Sequence, residues 1–308
     1  MEKIYWNYII AFYLFGAGIS AGALLLSIVA GAINAVRYRE IVRIGAYVAP
    51  FPISAGILAL VFDLERPWLC WRLFVTFQGS SVMSIGAWMI LAFTIVSVLY
   101  LYPWLSYGRD VLKLRGITTN RTFQRLIRWS GLILSLGVAT YTGVLICTLA
   151  ARPFWNSPMI PVVFLFSAVI DAVAVITLIL YLRRARAVSE DDLRINTSFM
   201  QWIDLALLCL LTMMIVFFLI GFYGSTEGAE AALDVITHGQ LRLHFWLGVV
   251  SLGIVIPLAH ALRQLLGHKG RIYSIVTVEL CVLLGGYMLR YVVIYAGQLT
   301  QASSTVSF

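Results

Sequence analysis

The sequence has little that could hold a metal. It contains four cysteines and four histidines in 308 residues. Cys70, Cys147, Cys209 and Cys281 stand apart, with no CxxC and no cluster-ligand spacing, which argues against an iron–sulfur or zinc site in this protein. Bis-histidine haem needs facing pairs of histidines inside membrane spans. His238 and His268 fall in loops, while His244 and His260 share one apolar run. Sixteen residues apart, they would sit about 24 Å from each other along a helix, so no haem is expected within the chain. Any electron chemistry would have to proceed without a resident metal.

Charge is also scarce, at 12% of residues, while 61% are hydrophobic. Soluble domains carry roughly 25% charged residues, so a soluble enzyme is excluded. The net charge of +8 does not signal nucleic-acid binding, because no soluble segment carries a basic face with stacking aromatics. The N-terminus, MEKIYWNYII, lacks a basic leader region and a small-residue cleavage pattern, so its apolar run reads as a retained span.

Apolar runs of spanning length occupy about 8–33, 41–62, 82–103, 126–150, 159–182, 202–224, 240–263 and 273–298. Backbone polar groups must be satisfied internally in lipid, so each run reads as a helix. The fold class is an all-α, polytopic membrane bundle of eight transmembrane helices, with residues 1–308 as one integral membrane domain. Basic residues mark alternate loops: Arg37, Arg39 and Arg43; Arg109 to Arg128; Arg183 to Arg194; and Arg263 to Arg271. These loops hold 16 of the 22 Lys and Arg residues. The positive-inside rule places them in the cytoplasm and both termini outside.

The stretch Val61–Trp88 breaks the apolar pattern on the outer side. Asp63, Glu65, Arg66 and Arg72 are interleaved there with Trp68, Trp71, Phe74 and Phe77. Amphipathic rings and ion pairs suit a lipid–water boundary. Asp63 and Arg66, three residues apart, would be helix neighbours, with Pro67 ending the helix. The pair reads either as an interfacial anchor or as a site. Tyr141, in ATYTGVL, offers a neutral phenol at moderate depth. Asp171 and Glu279 lie within spans, and Asp204 begins the sixth span near the cytoplasmic face. Carboxylates at such depth are costly and should face the bundle or a hydrated cavity, as packing groups or as a proton path. Small residues recur at four-residue spacing as Gly18 and Gly22, as Ala23, Ser27 and Gly31, and as Gly131, Ser135, Ala139 and Gly143, which suits close helix packing.

At several of these residues the chain resembles the NrfD/PsrC family of membrane quinone oxidoreductase subunits. The resemblance rests on YLFGAGISAGALL (Tyr13–Leu25), DLERP (Asp63–Pro67), SVMSIGAW (Ser81–Trp88), YTGVL (Tyr141–Leu145), PFWNSPMIP (Pro153–Pro161), FWLGVVSLGIVIP (Phe245–Pro257) and LRYVVIYAGQL (Leu289–Leu299). These run in order from the first span to the last.

The resemblance implies a haem-free membrane subunit of a periplasm-facing respiratory complex in the bacterial inner membrane. It implies a menaquinone or ubiquinone site near the outer surface. Its expected partners are a ferredoxin-like [4Fe–4S] subunit and a catalytic subunit, either a molybdopterin enzyme or a multihaem cytochrome c. Tyr141 matches the family's quinone-contacting tyrosine, and Asp63 with Arg66 matches its acidic–basic motif, with Glu65 replacing the usual glycine. Arg152, Trp155 and Asn156 are expected to close the outer wall. On membrane cost alone, and not from the resemblance, Asp171, Asp204 and Glu279 are candidate proton relays. The competing readings are an ion-coupled transporter and a structural anchor without a quinone site.

Overall fold

The computed structural model describes residues 6–63, 67–105, 120–148, 154–183, 190–222, 227–266 and 272–299. Among these residues it is all-helical, with eight helices long and apolar enough to cross a membrane. The first span is α1 (Tyr8–Asn34). The second is split into α2 (Arg39–Val48) and α3 (Pro50–Asp63). A short 3₁₀ turn, Pro67–Leu69, and α4 (Arg72–Val75) lead to the third span, α5 (Val82–Leu105). The fourth and fifth are α6 (Arg121–Cys147) and α7 (Met159–Arg183). The sixth lies within α8 (Glu190–Phe222), and α9 (Glu227–Thr237) follows it. A wide π-helical segment, His244–Val255, continues into α10 (Ile256–Leu265) as the seventh. The eighth is α11 (Ile272–Leu299).

The first span is the hub. Its apolar window is 72% buried, against 28% for the third, sixth and seventh spans, and it packs on the second, fourth, fifth and eighth. The glycine stripe explains how. A Cβ at Gly22 would run into the backbone of Ala168 and the methyl of Ala172 in α7, so the two helices touch backbone to side chain. Gly45 of α2 meets Ala23 and Ser27 in the same way. The four-residue repeat therefore serves helix contact, where dispersion at close approach drives association in lipid.

Three local features depart from simple unbroken spans. Pro50 and Pro52 sit in mid-membrane and divide the second span, since proline cannot continue the i→i−4 ladder. Ser20 Oγ accepts from Ile53 N at 2.9 Å, meeting one of the donors that the break frees. The helix of the sixth span, α8, extends well before the apolar run at 202–224, and Asn196 and Thr197 are buried on that extension. The seventh span's wide turns are marked by the Ile256 N–H donating to Ser251 O, five residues back. There Gly253 and Gly285 bring the seventh and eighth backbones into direct contact.

Spans alternate in direction, so the bundle has two chemically distinct ends. Asn34, Arg121, Arg183 and Gln264 lie at the basic end. Asp63, Trp68, Trp71 and Trp155 lie at the aromatic end, where Trp68, Trp71 and Phe77 are exposed.

Candidate functional site

The bundle interior holds a buried ion pair midway along the fifth span. Asp171, twelve residues from either end of α7, faces Arg290 of α11, and both side chains are only 1% exposed. Arg290 Nη1 donates to Asp171 Oδ2 at 2.9 Å, to Ser167 Oγ at 3.1 Å and to the Gly286 carbonyl at 2.8 Å. Ser167 Oγ donates to the same carboxylate oxygen at 3.4 Å. Phe15 and Phe164 flank the guanidinium, 5.4 and 5.5 Å from its carbon to their ring centres. Glycines make the room. A Cβ at Gly18 would strike Arg290, and one at Gly286 would strike Asp171. A charge at this depth is tolerated only with such pairing.

Nearer the aromatic end, α1 and α6 each carry a buried tyrosine, Tyr13 and Tyr141. Tyr141 is six residues before the end of α6, about 9 Å along the helix axis. It is 7% exposed, and its ring fills a notch at Gly86 of α5, where any Cβ would overlap it. Tyr13 of α1 lies within electrostatic reach of it and packs on Gly56 of α3. Neither hydroxyl has a hydrogen-bond partner among the described residues. A phenol held by packing with its O–H uncommitted is a donor waiting for an acceptor.

The rim residues at this end divide into committed and uncommitted groups. Asp63, the last residue of α3, is exposed and accepts from Asn7 Nδ2 through both oxygens, at 3.0 and 3.2 Å. Asn7 also caps α1 by accepting from Ile9 N, so the pair ties the second span to the start of the first. Asp63 stands seven residues above the Gly56–Tyr13 contact, about 10 Å along the helix. No hydrogen bond joins Asp63 to Tyr141 among the described residues. Arg66, the expected partner of Asp63, lies outside the described residues, as do Glu65 and Arg152.

Trp155 is buried. Its Nε1 donates to the Val293 carbonyl at 2.8 Å, and its ring lies against Trp6 and over Gly297. Asn156 next to it is exposed. Trp155→Phe should lower the unfolding free energy by about 1–3 kcal/mol, because it removes the donor from a buried carbonyl. A denaturant or thermal melt of the purified protein checks this.

At the basic half of the bundle, Asp204, Glu279, Thr177, Gln201, His260 and Gln264 line a cavity of about 250 Å³. Asp204 lies fourteen residues after the start of α8. Asp204 Oδ1, Glu279 Oε2 and Thr177 Oγ1 are buried without a partner among the described residues. Asp204 lies within electrostatic reach of both Asp171 and Glu279. The three acids form a spaced series from the cavity to the mid-membrane ion pair. No group of three or more metal-ligating side chains gathers among the described residues.

The model of the family described as "Polysulphide reductase, NrfD" matches residues 1–302. The chain belongs to the NrfD family. It is 30% identical to the polysulfide reductase C subunit of Wolinella succinogenes, over 96% of this sequence and 95% of that one. It is 29% identical to the protein NrfD of Escherichia coli, over 98% of this sequence and 97% of that one. A more distant relative, 22% identical over 88% of this sequence and 65% of its own length, is the Hdr-like menaquinol oxidoreductase integral membrane subunit of Archaeoglobus fulgidus. These relatives, together with the helical bundle, make the chain a multi-pass membrane protein of a family found in oxidoreductase complexes.

In this NrfD-family bundle, sequence reasoning passed over the residue at the centre. Arg290 lies inside the LRYVVIYAGQL stretch, and an arginine eighteen residues into an apolar helix carries the same membrane cost that singled out Asp171. Tyr13 was equally visible within YLFGAGISAGALL, but no periodicity pairs it with Tyr141. A ladder of Tyr287, Tyr291 and Tyr295 also runs up one face of α11, with the last two rings stacked at 4.2 Å and His244 against Tyr291.

Proposed function

We propose that the chain is the haem-free, quinone-reactive membrane subunit of a respiratory oxidoreductase complex in the bacterial inner membrane, with its aromatic end facing the periplasm. The substrate is a membrane quinone or quinol, menaquinone or ubiquinone, bound between helices at the aromatic end. A ferredoxin-like [4Fe–4S] subunit docks on that face and exchanges electrons with the quinone. It connects in turn to a catalytic subunit, a molybdopterin enzyme or a multihaem cytochrome c. Family membership supports the class, as does a relative whose own name carries menaquinol. One observation of this protein carries the site: Tyr141 is buried with its ring seated at Gly86, and its hydroxyl is uncommitted among the described residues.

On this reading Tyr141 donates to a quinone carbonyl, while Asp63, with Arg66, exchanges protons at the rim. Arg152, Trp155 and Asn156 form the outer wall, where the buried indole holds the wall to α11 and the exposed Asn156 faces outward. Trp68, Trp71 and Phe77 form the ledge on which the partner rests. Glu279, Asp204 and Asp171 would relay protons from the basic end, which makes turnover electrogenic. Quinone reduction takes up two electrons and two protons, and oxidation of the quinol releases them.

The reading is tested in the assembled complex with Tyr141→Phe and Asp63→Asn. The first should cut quinol-linked turnover about tenfold, the worth of one strong hydrogen bond, with an unchanged melting temperature. The second keeps an oxygen for Asn7 and removes only the titratable group, so lost turnover would report proton exchange. Wild-type turnover in both removes these residues from the chemistry. Purified protein without co-purifying quinone, and unprotected by a quinol analogue, would favour the anchor or transporter reading.

A further inference from the structure

The first and fourth spans part at the basic end and leave a groove of about 650 Å³ open to the side of the bundle. Its walls are apolar: Val29, Ala32 and Ile33 from α1, and Trp129 and Leu132 from α6. Its rim is not. Arg121, Arg125 and Arg128 follow one another at intervals of four and three residues, which puts them on a single face of α6 above the groove. All three are exposed, and none pairs with a carboxylate among the described residues. The nearest carboxylate by helix order, Glu40 of α2, is occupied by Arg183 at 3.9 Å. Between Glu65 and Asp171 the sequence contains a single acid, Asp110.

The placement of Arg128 makes this excess of positive charge costly. It lies seven residues past Arg121, about 10 Å further into the span. A guanidinium there must snorkel back to the headgroup layer or meet an anion that reaches down to it. The helix start, capped by Asn120 accepting from Thr122 N, adds its own positive end. Trp129 beside it has the amphipathic ring that settles at headgroup depth. A smaller space of about 150 Å³ toward α5 shares Ile28, Gln124 and Arg128, so the basic rim serves both. Phosphate above and hydrocarbon below is the chemistry of a phospholipid.

We propose that this groove is a binding site for an anionic membrane phospholipid. Arg121, Arg125 and Arg128 hold the headgroup phosphate, and one acyl chain lies along the α1–α6 groove beneath Trp129. The site stands apart from the aromatic end and does not depend on the quinone reading.

Native mass spectrometry of the detergent-purified complex, titrated with phosphatidylglycerol or phosphatidylcholine, tests it. Wild type should retain phosphatidylglycerol in preference to phosphatidylcholine. Each basic residue near the surface contributes about fivefold, so Arg128→Gln should weaken phosphatidylglycerol binding by about that factor and the triple glutamine variant by roughly a hundredfold. Loop arginines also set insertion topology, so Ala32→Trp is made in parallel. It fills the groove without touching charge, and should weaken lipid binding while leaving any binding of inorganic phosphate alone. Equal retention of both lipids, or wild-type binding in Arg128→Gln and Ala32→Trp, overturns the proposal. Displacement of the lipid by millimolar inorganic phosphate would also overturn it, because the site would then be one for a free anion.

Discussion

Arg290→Leu is expected to destabilise the folded protein by about 3–5 kcal/mol, the cost of leaving a buried carboxylate without its cation. Asp171 would lose its 2.9 Å partner, and the Gly286 carbonyl would lose a donor in the same step. Arg290→Lys should fall between wild type and Arg290→Leu. A lysine keeps the charge but loses the planar guanidinium that lies between Phe15 and Phe164 and spans three acceptors. The double variant Asp171→Leu with Arg290→Leu removes both charges, and should recover most of the loss. Thermal or denaturant unfolding of the purified complex reads all three. A single variant as stable as wild type would mean that Asp171 is neutral and the pair contributes little. If the stable double variant keeps quinol-linked turnover but no longer acidifies or alkalinises across the membrane, the pair belongs to the proton relay and not to the electron path.

Gly86→Ala is the second large effect. The added methyl would occupy space held by the Tyr141 ring, so either the phenol leaves its seat or α5 and α6 separate. Overpacking of this kind costs about 1–3 kcal/mol. On the proposed reading it also lowers quinol-linked turnover at least as far as Tyr141→Phe, about tenfold. The two losses should not add, because both act through one hydroxyl. Turnover of Gly86→Ala with Tyr141→Phe in the assembled complex gives the answer. A fully multiplicative loss would show that Gly86 serves helix packing and that the phenol's position is irrelevant to it.

Much of the architecture was legible in the sequence, because lipid imposes a simple rule. Every spanning backbone must satisfy itself, so runs such as 159–182 and 273–298 could be read directly as helices, and the structure has Met159–Arg183 and Ile272–Leu299. Gly18 and Gly22 announced close packing, though not against which helix. Where tertiary context governed, the reading slipped. Hydropathy started the sixth span near 202, but the helix that carries it starts at Glu190, with Asn196 and Thr197 buried in the bundle. The prolines Pro50 and Pro52 were hidden inside a continuous apolar run, and the break they cause became visible only with Ser20 supplied as an acceptor from another helix.

The candidate site divides along the same line. Residue type and depth alone singled out Asp171 and Glu279, since a carboxyl in lipid needs an explanation, while Tyr141 was singled out by the family resemblance. The sequence by itself determined eight spans, scarce metal ligands, a basic and an aromatic end, and membership of a family. It could do so because each rests on local composition or on spacing along one helix. Only the tertiary structure decided that Arg290 answers Asp171 across 119 residues, that the Tyr141 ring seats at Gly86, and that Asp63 is held by Asn7. Those pairings depend on the rotation and crossing of helices distant in sequence, and no periodicity within a single helix encodes them.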